Sequence, residues 1–272
     1  MNRIRPMGWI PDAPDHRDLL YGLSNQPPAG PLPASVDLSG GFGAAYDQQH
    51  SPSCVAQSIV AMLDFLGQRL DDALPTGSRA FAYWNARAAD GLAGSDGGST
   101  IRSTLKAINK LGLCSEIEWA YTPDHIQRQP TTACYADAAG YPNVAYLRLA
   151  CNLQQLRQSL ADGFPFTIGF TAYDNFPFDT DTGFVPMPQP ASRVIGQHCV
   201  VAAGYDDDSR QFLIRNSYGT SWGQDGYGAL PYEYVLGYCG DQSLWSLRRL
   251  LGASGNSGAA MSGSVDAIRP GG

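Results

Sequence analysis

The sequence predicts an α+β protein of two lobes, a helical N-terminal lobe and a β-rich C-terminal lobe with a cleft between them. Three observations predict it. Apolar residues in the first half recur at helical spacing, while those in the second half gather in short runs bounded by turn residues. Helices followed by strands, rather than alternating with them, indicate segregated layers and not a parallel sheet. The 31 Gly and 19 Pro make up about 18% of the 272 residues, against roughly 12% in an ordinary protein, which excludes a plain helical bundle.

The elements follow in order. Residues 1–31 read as an irregular arm that ends in the stiff run Gln26-Pro27-Pro28-Ala29-Gly30-Pro31. The folded body spans 32–250. From Cys54 to Leu70, Val55, Ile59, Met62, Leu63, Leu66 and Leu70 mark one helix. Ser78–Ala89 and Ser99–Leu111 are two more, each with a Ser at or near its start to cap it. Strands are predicted at Ala145–Leu149, Phe166–Phe170, Cys199–Tyr205, Gln211–Arg215 and Leu244–Leu250, with a short helix at Leu153–Leu160. Residues 251–272 are small and polar and read as a flexible tail.

Composition narrows the function. Hydrophobic residues are 43% of the chain, charged ones 16%, and the net charge is −7, so the chain folds and presents no basic stripe for nucleic acid. No apolar stretch approaches 18 residues, and the first 21 residues lack the apolar core of a signal peptide. A cytoplasmic protein is expected, with export by another route or a trimmed signal left open. The six cysteines form no CxxC pair and, with four scattered histidines, no zinc spacing, so neither metal nor cofactor is expected.

One constellation carries chemistry. Asp47-Gln48-Gln49-His50-Ser51-Pro52-Ser53-Cys54 delivers a thiol to the start of the first helix, where unpaired N–H groups favour thiolate. His198 stands just before an apolar strand, and Asn216 follows the next strand, where its amide oxygen can orient the imidazole. Taken singly, a Cys at a helix start or a His before a strand is more often structural. Their order and spacing change that weighting.

These segments resemble the papain-like cysteine peptidases, whose His and Asn follow the Cys by roughly 130–150 residues, with Asn216 slightly beyond that span here. Gln48 through Cys54 and Ser58 is similar to the nucleophile block. Gln197-His198 through Tyr205 is similar to the histidine block, and Asn216-Ser217-Tyr218-Gly219-Thr220-Ser221-Trp222-Gly223 to the asparagine block. Leu32-Pro33-Ala34-Ser35-Val36-Asp37 resembles the start of the mature domain. The likeness covers 32–250 and is closest to compact bacterial members.

The resemblance implies a two-lobed fold with a barrel-like C-terminal lobe, and a monomeric endopeptidase acting on peptide or protein substrates. Cys54 would be the nucleophile, His198 its proton partner and Asn216 the orienting residue. Gln48 and the Cys54 amide would form the oxyanion hole. Gly97-Gly98 would pair with an extended substrate backbone, and Gly169 would leave the second substrate pocket open. Tyr218 would line the leaving-group side in place of the usual Trp. Val55 also replaces a Trp, and Ser51 replaces a cysteine, so one common disulfide cannot form. The same fold could instead be a silent binding module with its cleft filled, or an acyltransferase.

Of the other histidines, His50 is a weak competing base, and His16 and His125 read as solvated. Asp206-Asp207-Asp208 reads as a solvated hairpin turn. In the arm, Trp9 and Ile10 are apolar anchors and Asp15-His16-Arg17-Asp18 offers charged contacts. The arm is therefore expected to dock on the body, partly cover the cleft near Cys54 and restrain the enzyme.

Overall fold

The computed structural model describes residues 5–21, 30–69, 74–178, 180–240 and 242–251. The tail at 252–272, and most of the proline run before Pro31, lie outside the described residues. The elements are β1 (Ser35–Asp37), α1 (Cys54–Arg69), α2 (Arg79–Ala89), α3 (Ile101–Leu111), α4 (Pro123–Gln127), α5 (Thr132–Ala138), β2 (Asn143–Arg148), α6 (Leu153–Ala161), β3 (Phe166–Tyr173), β4 (Val194–Asp206), β5 (Gln211–Arg215), β6 (Tyr227–Pro231), α7 (Tyr232–Tyr238) and β7 (Trp245–Leu251). The expected α+β, two-lobed architecture holds.

The helices begin where short polar side chains can take the unpaired N–H groups of a first turn. Ser78 Oγ accepts from the Phe81 amide at 3.0 Å, and Thr100 Oγ1 accepts from the Ser103 amide at 3.0 Å. The third helix thus starts at Ile101 and is capped by Thr100 and not by Ser99, whose backbone bonds the N-terminal segment. Gly112 ends it with φ of 79°, a conformation that costs a side-chain-bearing residue energy. α1 has buried residues around nearly its whole girth, so it is the central helix and not a surface one.

The strands form one antiparallel sheet in the order β2-β7-β3-β4-β5-β6, with β1 pairing against β4. β4 is the long central strand. Its register sets Phe170 opposite His198 and Gly169 opposite Cys199. The irregularity in its pairing with β5 lies between Ala202 and Gly204, where a Cβ on Gly204 would sit 2.3 Å from the Val36 carbonyl of β1. Two cores flank the lobe junction. Ile59, Leu63, Phe81, Ile101 and Ile108 pack with Cys199, Val201 and Trp245 in one. Phe166, Ile168, Phe212, Ile214 and Leu230 make the other. Burying each such large side chain stabilises by about 1.5–3 kcal/mol. Because β4 serves both cores, the residues near its midpoint sit where the lobes meet.

Candidate active site

The loop before α1 is held rigidly. Asp47 Oδ1 accepts the Gln49 amide at 2.8 Å, Gln49 adopts φ of 55°, and the Ser51 amide donates to the Gln48 carbonyl at 3.1 Å. The Tyr121 hydroxyl donates to the Gln48 carbonyl at 2.9 Å and lies 2.6 Å from Ser53 Oγ. This pins the residue before Cys54, so Cys54 enters α1 as its first residue with little freedom. Ser58 Oγ, one turn on, donates to the Cys199 carbonyl at 3.4 Å and brings β4 against the head of the helix.

His198 is fully buried, walled by the rings of Phe170, Phe176 and Tyr218. Its Nε2 lies 2.8 Å from Asn216 Oδ1, which also accepts the Ser217 amide at 2.8 Å. Since that oxygen only accepts, Nε2 carries the proton and Nδ1 is the bare acceptor in the neutral ring. Nδ1 is buried and makes no hydrogen bond among the described residues. Gln48 is oriented by the same segment. Its Oε1 accepts from Ser217 Oγ at 2.6 Å, which turns Nε2 outward to donate to the Ser51 carbonyl at 2.9 Å and the Pro6 carbonyl at 2.7 Å.

Pro6 belongs to the arm, which crosses the site. The Gly8 carbonyl accepts from the Ser99 amide at 2.9 Å, and the Ile10 amide donates to the Ser99 carbonyl at 3.0 Å. From the other lobe, the Gln197 carbonyl accepts the Trp9 amide at 3.1 Å. Gly8 passes so close to the loop that a Cβ there would lie 1.7 Å from the Pro52 carbonyl. The Trp9 indole is 3% exposed and rests on Gly169 and Gly240, where a Cβ would come within 2.5 and 2.4 Å of the ring. Beyond the site, Arg5 pairs with Asp47 at 2.6 Å and stands over the Tyr218 ring. Arg102 of α3 pairs with Asp18 at 2.6 Å and Asp12 at 3.6 Å. The Tyr21 amide donates to the Arg148 carbonyl at 2.9 Å. The arm over 5–21 has no helix or strand, as expected, yet it is held to both lobes as a strap.

Covering changes the electrostatics. Burial pushes the Cys54 thiol up to about 11, only partly offset by the backbone amides of Gly8, Cys199 and Val55. Burial likewise pulls His198 down to about 4 against the opposing Asn216 hydrogen bond. This corrects the expectation of a depressed thiol. Burial outweighs the amides that favour the thiolate, the Gly8 amide of the arm among them.

The remaining predicted residues divide. Gly169 lies under the Trp9 indole of the arm, where a Cβ would meet the ring at 2.5 Å. Tyr218 is fully buried against His198, its hydroxyl makes no hydrogen bond among the described residues, and burial raises its phenol well above the usual value. The arm pairs with Ser99, the residue after Gly97-Gly98. The Gly98 amide donates to the Tyr83 hydroxyl at 3.0 Å, while Ser99, one residue on, bonds the arm, and Gly98 lets Gly8 approach where a Cβ would meet its carbonyl at 2.2 Å. Ser99, Gly240 and Ser217 escaped the sequence reading because each acts on a residue remote in the chain. His50 and His16 are exposed. His125 is not simply solvated, since its ring stacks on Trp119 at 3.8 Å and Nδ1 lies 2.8 Å from the Ala120 carbonyl. Asp207 does sit in the β4–β5 turn, yet it is bound by Arg157 and by the Tyr232 hydroxyl at 2.9 Å. No cluster suited to a metal ion occurs among the described residues.

Comparison with known proteins converges on the same fold. A sequence model described as papain family cysteine protease matches residues 32–244. A peptidase C1-like protein of Acanthamoeba polyphaga mimivirus is 30% identical over 259 residues, 85% of this chain and 83% of that protein. The crystal structure of xylellain, a cysteine protease from Xylella fastidiosa, superposes with a TM-score of 0.82 at 32% identity, covering 90% of this chain and 97% of that one. Digestive procathepsin L2 from Tenebrio molitor shares the fold, with a TM-score of 0.71 at 20% identity over 90% of this chain and 78% of that one. With a matched model across most of the body and a relative of this identity along most of its length, the chain belongs to the papain family of cysteine proteases.

Proposed function

We propose that this peptidase is an endopeptidase that hydrolyses peptide bonds through Cys54, His198 and Asn216 and a covalent acyl-enzyme, and that its arm restrains it. His198 Nδ1 takes the Cys54 proton, and the thiolate attacks the scissile carbonyl. The developing oxyanion is met by the Cys54 amide and Gln48 Nε2, donors fixed before charge appears. His198 returns the proton to the leaving amine, and water then cleaves the thioester. Asn216 keeps the Nε2 proton in place throughout. The observation that carries this reading is that Gln48 Nε2 already donates to a peptide carbonyl, that of Pro6. The test is an epoxide thiol probe on a chain starting near Leu32. It should add once, at Cys54, and an unlabelled Cys54 would point to the silent binding module.

Restraint by the arm has two parts. The strap fills the cleft, and by drying it holds Cys54 and His198 as a neutral pair with no thiolate to attack. Its hold should depend on pH through Asp12. Burial raises that carboxyl from 3.8 to about 6, outweighing Arg102 and the Thr100 contact, with Asp18 adding to the rise. The docked arm thus binds this proton more tightly than a released one, so docking is stronger in acid. It weakens as pH rises from about 4 through about 6 and then levels. A synthetic peptide of residues 5–21 should bind the Leu32-start chain at least roughly tenfold more weakly at pH 7 than at pH 4.5, from a shift of about two pKa units. The Asp12→Asn peptide should lose most of that dependence. Equal pH dependence in both peptides would remove Asp12 from the account.

A further inference from the structure

We propose that Cys151 and Cys239 are a redox modification site, closed to a disulfide by exchange with a low-molecular-weight disulfide such as oxidised glutathione. Their sulfurs lie 3.2 Å apart although 88 positions separate them. Both side chains are half-buried and therefore reachable, whereas Cys54, Cys114, Cys134 and Cys199 are buried. Cys114 and Cys134 also neighbour one another, but neither is exposed to a reagent. Cys151 precedes Asn152, the cap of α6, and its Sγ lies 3.7 Å from the Val235 carbonyl in α7. Cys239 closes that helix, its amide donating to the same carbonyl at 3.2 Å. A disulfide would bring the two sulfurs from 3.2 Å to about 2.0 Å.

The exchange balances without any group beyond the oxidant. One protein thiolate attacks the small disulfide, forming a mixed disulfide and expelling one small thiolate. The second protein thiolate attacks the protein sulfur of that mixed disulfide and expels the other. Two protein thiols lose two electrons, the small disulfide gains them, and the two protons finish on the released thiols.

The bond would act on the pocket wall, not on Cys54. Cys239 pairs with Phe170 of β3, the Gly240 amide donates to the Gly169 carbonyl at 3.1 Å, and Ser243 Oγ donates to the same carbonyl at 2.9 Å. Gly169 and Gly240 seat the Trp9 indole. A covalent link from Cys239 to the β2–α6 connection braces that wall, and this holds whether or not the peptidase mechanism above is correct.

The test equilibrates the full chain in glutathione buffers from reducing to oxidising, quenches in acid, blocks thiols with N-ethylmaleimide and maps the digest by mass. The expected product is one cross-link, Cys151 to Cys239, about 2 Da lighter than the reduced pair. It should raise the melting temperature by roughly 5–10 °C, reversibly with dithiothreitol. Cys151→Ala and Cys239→Ser, made separately, should each abolish both effects. Mapping of the wild-type chain stands by itself should either variant fold poorly. Blocked or glutathionylated Cys151 and Cys239 in the oxidising buffer, or a cross-link to another cysteine, would overturn the site. A correct cross-link with an unchanged melting temperature would overturn the brace.

Discussion

Cys54→Ala should reduce kcat/KM on a fluorogenic peptide by at least about three orders of magnitude, measured in the chain that starts near Leu32. His198→Ala should fall nearly as far, because residues that act as a unit each carry most of the loss. Asn216→Ala should cost less, about one to two orders, since it removes the hydrogen bond that fixes the His198 tautomer, and the one to the Ser217 amide, but no reacting group. Gln48→Ala should cost about two to three orders, the loss of one prearranged oxyanion donor. The ordering matters as much as the sizes. A merely structural role would make Gln48, which also bonds Ser217 and Ser51, the most damaging change to stability without favouring Cys54 in rate. Cys54→Ala removes a single sulfur from a fully buried site, so its melting temperature should stay close to that of the parent. If that variant keeps even a tenth of the parent's activity, the nucleophile lies elsewhere.

What could be read from the chain was whatever rests on neighbouring residues. The Cys54–Leu70 periodicity is a helix over Cys54–Arg69, with Leu70 outside the described residues, and Gln211–Arg215 is a strand as predicted, because burial of one apolar pattern decides each. β6 is not legible locally, since Tyr227-Gly228-Ala229-Leu230-Pro231 carries Gly and Pro and is held by β5 on one edge and by residues 183–185 on the other. α7 was missed because Tyr232, Tyr234 and Val235 look like strand residues, yet they pack on the β-rich core. At the site, the order Cys54, His198, Asn216 and the position of Gln48 were local motifs and legible. The Ser217 hydroxyl that aims Gln48, and Ser99 in place of Gly97-Gly98, were not. Each is a contact across the lobe junction, fixed by the register of β4 and the path of the arm. The thiol's direction of shift was also hidden, because it depends on what covers Cys54 and not on what precedes it.

Removing the arm should raise kcat/KM by roughly ten- to hundredfold or more, and Trp9→Ala in the full chain should recover much of that gain. The strap is held at several points: hydrogen bonds at Pro6, Gly8, Trp9 and Ile10, and ion pairs of Arg5 with Asp47 and of Arg102 with Asp12 and Asp18. Exposed pairs such as that of Arg5 contribute little, about 0–1 kcal/mol. The Trp9 indole contributes more, about 1.5–3 kcal/mol for an aromatic ring buried to 3% exposure. Losing it should shift the docked-to-open equilibrium by that same ten- to hundredfold, since each 1.4 kcal/mol is about a factor of ten. Gly169→Val offers an independent route, because a side chain there occupies the space of the ring. With the strap off, water should return to Cys54 and His198, and the proposed mechanism then expects a thiolate–imidazolium pair. The truncated chain should then show a bell-shaped pH profile, falling in acid as the thiolate is protonated and in alkali as the imidazolium loses its proton. The comparison uses a small fluorogenic peptide and a folded protein substrate on both lengths of chain. Both should gain, because the strap spans the cleft and not merely its rim. Should truncation leave both kcat/KM values unchanged while lowering the melting temperature, the arm is a brace for the lobe junction and restrains nothing.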